Sequence, residues 1–535
     1  MKRVLAVIPA RAGSKGIPNK NIRIVNNKPL ICYSIQNAID SKMITDIIVT
    51  TDSPEIEIIA KQMKVPFKHR CEALCGDAVT LDAVVFDAID DNQSYDYIVT
   101  MQPTSPTLEV STLDRAITYC IERDLDTVIS VINAPHLSWI EKDGKKVPNY
   151  TARLNRQYLP PYYFETGAFV ISKTSIVTKN TRIGSMVDVF EIAEKEAVDI
   201  DTFEDLKNVE NILSSKKIAI YVNGNNKLGT GHIYRALEVA DGFYTKPDIY
   251  FDINQTNCNI FGPTTHNLIG VQGEEQLFEE LKKEQYDIVI NDVLSTSNEY
   301  MNAMKNAIPQ GKVINFEDDG EGIYKADLVI NALYQHSELS HVKTGERFYI
   351  ASKLFMFYHP IEIREQVKTV LITFGGADPK NYTDRVLEIV SKSKYDNIQF
   401  IVVLGRAKDN IEQLMKYNEY KNIEVFYDVF DMPELMSRCD MAITSRGRTG
   451  YELAILGIPT IAMAQNTREE KHGFVSGENG FTYLGLNPSN QMMESNLDSY
   501  LNYGKIERQQ YQDLLLSHDL KKGRKRVLNL INSLL

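Results

Sequence analysis

At 535 residues the chain exceeds what one hydrophobic core supports and should divide into roughly two to four domains. Its 43% hydrophobic and 24% charged residues are ordinary for globular protein, and a net charge of −12 argues against a nucleic-acid partner. No apolar run approaches the roughly 20 residues that span a membrane, and Met1 to Ala10 passes into a charged motif without a cleavage site, so the chain reads as cytoplasmic with no membrane partner.

The first 215 residues alternate strand-like and helix-like segments. Strands are expected at Val4–Ile8, Ile47–Thr51, Tyr97–Met101, Thr127–Val131, Phe169–Ile171 and Ala197–Ile200, with helices at Pro29–Ser41, Pro54–Met63 and Leu81–Ile89 between them. Such alternation implies an α/β fold built on a mostly parallel sheet, whose ligands bind beyond the carboxyl ends of the strands. Asp201 to Asp205 has a cap residue and first-turn acids, so a helix should start there and run to about Ser215. Cys32, Cys71, Cys75, Cys120, Cys258 and Cys439 are scattered, which fits free thiols. His69, Cys71 and Cys75 lie close together, but no second pair at zinc spacing follows.

The domain boundary falls near residue 215, giving domains 1–215 and 216–535. The second repeats the alternation, with strands at Ile218–Val222, Ile249–Asp252, Ile288–Asn291, Val313–Phe316, Leu328–Asn331, Val370–Phe374, Phe400–Leu404, Ile423–Phe426, Met441–Thr444 and Thr460–Met463. A break near His359–Gln366 divides it into Rossmann-like halves, about 216–362 and 363–535, with a cleft expected between them. The basic cluster Lys521, Lys522, Arg524, Lys525, Arg526 reads as a solvated face of the last helix.

Two Gly-rich loops follow strands. The first, Ala10-Arg11-Ala12-Gly13-Ser14-Lys15-Gly16-Ile17-Pro18-Asn19-Lys20-Asn21, holds three cations in one tight turn. Glycines let backbone close on a polyphosphate, and the cations neutralise it and its leaving group. Asp199 and Asp201, two apart in an expected strand, should present their carboxylates on one face, a donor pair that suits Mg²⁺ with phosphate oxygens. With Arg70, Leu74, Asp77 and the run Gln102-Pro103-Thr104-Ser105-Pro106, these residues resemble the signature of the sialic acid cytidylyltransferases over roughly residues 3–205. The resemblance implies a nucleotidyltransferase-type domain that transfers CMP from CTP to a nine-carbon acidic (nonulosonic) sugar and releases pyrophosphate. It assigns Arg11 and Lys20 to the triphosphate and Asp199 and Asp201 to Mg²⁺, and it implies that Arg70 and Gln102 hold nucleotide or sugar. Lys15 is expected to stabilise phosphate charge. A homodimer through this domain is an open expectation. One departure stands out: Glu165-Thr166-Gly167-Ala168 replaces the family's Asn-Gly-Ala near the sugar, which leaves the sugar's identity open.

The second loop, Leu228-Gly229-Thr230-Gly231-His232-Ile233-Tyr234-Arg235, puts a histidine where a strand and glycine turn give way to a helix. A helix N-terminus disfavours imidazolium, so His232 is expected to serve as a neutral base, with Arg235 one turn on to meet a phosphate. With Ala326–Asn331, Phe374–Pro379 and Gly447–Glu452, this region resembles, over roughly 217–515, the UDP-sugar hydrolase of the pseudaminic acid pathway and more loosely the GT-B glycosyltransferases. That implies His232 activating water, Gly375, Gly376 and Thr449 holding a diphosphate, and Glu452 accepting from the ribose. No cofactor is expected in this half. Asp292, Asp318 and Asp319 sit at expected strand ends, where lining the cleft and a purely structural role stand as equal alternatives, and Arg446 and Arg448 add charge at its mouth.

The expected function is thus a bifunctional enzyme of nonulosonic acid biosynthesis, acting on pseudaminic or legionaminic acid intermediates. Its substrates are CTP, a nonulosonic acid and a nucleotide-activated deoxy-amino sugar, expected to be UDP-linked, and a pathway synthase is an expected partner. The alternatives for the second half are a glycosyltransferase or a non-catalytic nucleotide-sugar sensor.

Overall fold

The computed structural model describes residues 2–13, 16–76, 78–89, 94–224, 231–334 and 339–534. The chain forms two compact units, Met1–Ser215 and Lys216–Leu535. Among the described residues no helix is long and apolar enough to cross a membrane.

In the first unit β1 (Val4–Pro9), β2 (Asp46–Thr51), β3 (Phe67–His69), β4 (Tyr97–Met101), β5 (Thr127–Asn133), β6 (Tyr163–Lys173) and β7 (Val187–Glu191) form one sheet in the order β7-β5-β6-β4-β1-β2-β3. All pairs are parallel except those of β6, which runs antiparallel to β4 and β5. Successive side chains of a strand point to opposite faces. Accordingly Val4, Ala6 and Ile8 join one apolar cluster and Leu5 and Val7 another, so β1 is buried on both sides. That is why its sequence is a continuous apolar run rather than an alternating one.

The structure corrects the expected strand at Ala197–Ile200. A short 3-10 turn at Glu194–Glu196 leads instead into irregular chain, tied down where the Ile200 N–H donates to Thr104 O at 2.9 Å. The edge position belongs to β7, ten residues earlier in the chain. The helix after it, Phe203–Ser214, is closed by a capping box: Thr202 accepts from Asp205 N, and Asp205 reaches back to the Thr202 N–H. This satisfies two otherwise unpaired N–H groups at the helix start.

The second unit holds two all-parallel sheets, the Rossmann-like pair that the strand alternation predicts. The first contains β8 (Ile218–Val222), β9 (Asp248–Asp252), β10 (Asn267–Val271), β11 (Ile288–Asp292), β12 (Lys312–Phe316), β13 (Leu328–Asn331) and β14 (Val342–Thr344), in the order β10-β9-β8-β11-β12-β13-β14. The second contains β15 (Thr369–Thr373), β16 (Gln399–Leu404), β17 (Ile423–Tyr427), β18 (Met441–Ser445), β19 (Thr460–Ala464) and β20 (Phe481–Leu486), in the order β17-β16-β15-β18-β19-β20.

The halves are not clean in chain order. Val527 and Ile531 of the last helix, Gly523–Asn532, lie in the core of the first sheet with Ile233 and Ala236. Arg524, expected on a solvated face, binds Glu238 at 3.0 Å, and Lys521 donates to Tyr358 O. A third core joins Leu333, Tyr349 and Phe355 to Leu371, Tyr451 and Phe474, so side chains from both halves pack as one body.

Candidate functional site

In the first unit the chain leaves β1, β2, β3 and β4, all parallel, at one edge of the sheet. The residues that follow are Ala10 to Gly13, Asp52, Arg70 and Gln102. The Ala12 N–H donates to Asp52 Oδ1 at 2.7 Å and Asn21 donates to Arg11 O at 3.0 Å, so the loop is folded on itself. Arg70 is 5% exposed; its Nη2 donates to Thr50 O, and its Nε is buried with no partner. Burial pulls the guanidinium pKa below its ordinary value, with Asp52 acting in the opposite direction and Arg11 in the same one.

Asp199 and Asp201 come together, though not through strand alternation. Asp201 is exposed and its Oδ1 lies 3.1 Å from Lys20 Nζ, which also donates to Ile200 O at 2.5 Å. Asp199 turns inward: its Oδ1 is buried without a partner within hydrogen-bonding geometry, and burial, opposed by the nearby Thr104 side chain and Lys20 and helped by the Asp201 charge, raises its carboxyl pKa above the ordinary range. Two glycines allow this closeness. A Cβ on Gly16 would stand 2.6 Å from Asp201 O, so only glycine lets the basic loop touch that backbone. Gly167, at φ +73°, leaves its Cβ position 3.1 Å from Gln102 Nε2 and 3.3 Å from Asp199 Oδ2. Lys20, Asp201, Asp199 and Gln102 therefore share one wall. Lys15 and Asp77 lie outside the described residues.

In the second unit a cavity of about 1450 Å³ opens among the carboxyl ends of the two sheets, lined by His232, Glu317, Gly375, Gly376, Thr449 and Glu452 among others. The stretch 225–230 that leads into His232 lies outside the described residues. His232 opens the helix Gly231–Ala240, and its Nδ1 is 2.5 Å from Asp292 Oδ1 at the end of β11. That bond fixes Nδ1 as the donor and leaves Nε2 as the acceptor. Burial alone would raise the Asp292 carboxyl; Arg235 and His232 outweigh it and hold it well below the usual carboxylate range.

Arg235 also lines this cavity, yet it is only 3% exposed, with Nε 2.6 Å from Asp292 Oδ2, Nη2 also on Asp292, and Nη1 3.0 Å from Glu317 Oε1. A guanidinium shared by two buried carboxylates is committed to them. Asp318 and Asp319 do not line the cavity: Asp318 is fully buried and ties Thr296 and Asn315, and Asp319 pairs with Lys471. Arg446 lies over the Tyr483 ring and is not a lining residue, whereas Arg448 is. Burial pushes the Glu452 carboxyl up to about 7, with Arg448 opposing. The imidazole of His472, another lining residue, is pushed down to about 4, chiefly by burial.

A family model described as cytidylyltransferase matches residues 5–226, and a model for a protein of unknown function (DUF354) matches residues 326–470. Post-translational flagellin modification protein B of Campylobacter coli is 30% identical over 231 residues, which are 41% of this chain and 98% of that protein. Through its first unit the chain belongs to the cytidylyltransferase family. An N-acylneuraminate cytidylyltransferase of Streptococcus agalactiae is 30% identical over 214 residues, 38% of this chain and 52% of that protein. A Helicobacter pylori protein named pseudaminic acid cytidylyltransferase and UDP-2,4-diacetamido-2,4,6-trideoxy-beta-L-altropyranose hydrolase is 24% identical over 485 residues, 86% of this chain and 88% of that protein. The chain spans about half the length of some curated relatives, 52% of the streptococcal protein and 56% of Methanocaldococcus jannaschii MJ1062.

Two residues, one in each unit, escape sequence reasoning. Asp52 follows β2 directly, and the rule that ligands gather at strand ends would have found it. Glu317 follows β12 in the same way, but its neighbours Asp318 and Asp319 drew attention to the wrong carboxylates.

Proposed function

We propose that the chain is a bifunctional enzyme of nonulosonic acid biosynthesis. The first unit would transfer CMP from CTP to a nine-carbon acidic sugar: the anomeric oxygen attacks the α-phosphorus, the bond to the β-phosphate oxygen breaks, and pyrophosphate leaves. Arg11, Lys15 and Lys20 would carry phosphate charge, and Arg70 and Gln102 would hold nucleotide or sugar. Asp199 and Asp201 would hold Mg²⁺, which supplies charge neutralisation at the phosphates. The orphaned buried Oδ1 of Asp199 beside a second carboxylate supports that fit.

The second unit would hydrolyse a nucleotide-activated deoxy-amino sugar, UDP-linked on this reading. His232 Nε2 takes a proton from water, the water oxygen bonds to the anomeric carbon, and the nucleoside diphosphate departs. The Gly375–Gly376 turn and Thr449 would meet the diphosphate, and ionised Glu452 would accept from the ribose. The observation that carries this reading is the buried His232–Asp292 pair at 2.5 Å on the wall of a cavity large enough for a nucleotide sugar. The likeness to the Helicobacter protein over most of the chain supports it.

The test is direct. With CTP, Mg²⁺ and a panel of nonulosonic acids, pyrophosphate release is expected from wild type and not from an Asp199→Ala, Asp201→Ala double variant; full activity in that variant overturns the metal assignment. With UDP-sugars alone, UDP release is expected from wild type and reduced at least roughly 100-fold in His232→Ala. Release only on adding an acceptor indicates a glycosyltransferase, and binding without turnover a sensor.

A further inference from the structure

Glu317 follows β12 with φ +52°, a left-handed conformation that is strained for a residue bearing a side chain. Its carboxylate, 2% exposed, is held on three sides. The Ala332 and Leu333 N–H groups each donate to it at 3.3 Å, and Arg235 Nη1 lies 3.0 Å away. The other end of Arg235 binds Asp292, the carboxylate that accepts the hydrogen bond from His232 Nδ1–H. Glu317, Arg235, Asp292 and His232 thus form one largely buried chain of charged and polar groups in the cavity wall, with Arg235 stacked over Phe316 at 5.4 Å.

Two physical consequences follow from the carboxylate at the far end. The first is geometric. Arg235 Nη2 stands 3.0 Å from His232 Nδ1, donor against donor, and both compete for Asp292 Oδ1. Anchoring Nη1 fixes the plane of a guanidinium that already holds both Asp292 oxygens, and with it the orientation in which Asp292 meets the imidazole. The second is charge. One cation and two anions leave the group one negative charge while the imidazole is neutral, and a proton taken up by His232 brings it to zero. Without Glu317 the same proton would leave a net positive charge in a water-excluded interior, where uncompensated charge is costly.

We infer that Glu317 is a positioning residue for His232, acting through Arg235 and Asp292 to fix the imidazole's tautomer and to balance the proton it accepts. The inference rests on the reading of His232 as the hydrolytic base.

Three measurements on the full chain test it. In Glu317→Gln, kcat for UDP release should fall roughly 10- to 100-fold while KM and the affinity for UDP stay within about twofold of wild type. Glu317→Asp, which keeps the charge, should recover part of kcat. In the free protein, ¹⁵N NMR of His232 should change from a single Nδ1–H tautomer to a mixture in Glu317→Gln. Unchanged kcat with an unchanged tautomer overturns the inference, and so does a parallel loss of UDP affinity, which would make Glu317 merely structural. If wild type releases no UDP, the hydrolase reading fails, yet the NMR comparison still decides whether Glu317 orients His232.

Discussion

Glu452 shows how a single side chain turns burial into a testable dependence on pH. Its carboxyl is raised to about 7 because the cavity wall desolvates it more than Arg448 compensates. A ribose hydroxyl donates more strongly to the ionised form than to the neutral acid, so nucleotide binding favours loss of that proton. Affinity should therefore rise with pH through about 7, weakening by up to tenfold per pH unit below it, with proton release on binding. Calorimetry with UDP-N-acetylglucosamine, whose diphosphate does not titrate in this range, checks this in a His232→Ala background; adding Glu452→Gln should flatten the profile. Glu452 was legible in the sequence as a first-turn acid after a glycine turn. Its altered acidity was not, because that depends on what packs around it.

At the scale of elements, the first site depends on two segments meeting that are 180 residues apart in sequence. The basic loop reaches Asp201 through the bare Cα of Gly16, and Lys20 then closes on Ile200 O and Asp201. Gly16→Ala places a methyl group 2.6 Å from a backbone oxygen, which cannot move as the end of a flexible side chain would. Pyrophosphate release should fall about 10- to 100-fold, since misplacement of about 1 Å costs that much. The melting temperature should change far less than activity does. Full activity in Gly16→Ala would mean that the loop need not touch Asp201. The strands that sequence reading missed follow a pattern. In the three large sheets the missed strands β3, β7, β10, β14 and β20 are all edge strands, only partly buried; of the edge strands only β17 was legible, whereas the flanked interior strands read clearly as apolar runs.

For the whole molecule, no hydrophobic cluster among the described residues mixes the two units, so each has its own core. Heating should give two calorimetric transitions, with CTP raising one and a UDP-sugar raising the other, each by an amount set by ligand concentration over Kd. A single transition moved by both ligands would mean that the units unfold together. Within the second unit the opposite holds: side chains of both halves share a core, and the last helix crosses to the first sheet, so these halves should melt as one.

What the sequence determined by itself was local. Apolar runs flanked by glycine turns marked the interior strands, the cations of the first loop pointed to phosphate, and the order of short motifs pointed to CMP transfer. Those signals are carried by neighbouring residues, so one chain suffices to read them. Only the tertiary structure decided which charges face each other. It clamped Arg235 between Asp292 and Glu317, paired His232 with Asp292, and brought Asp199 to Asp201 without a strand. A charge's partner is set by distance and burial, and both arise from segments far apart in the chain.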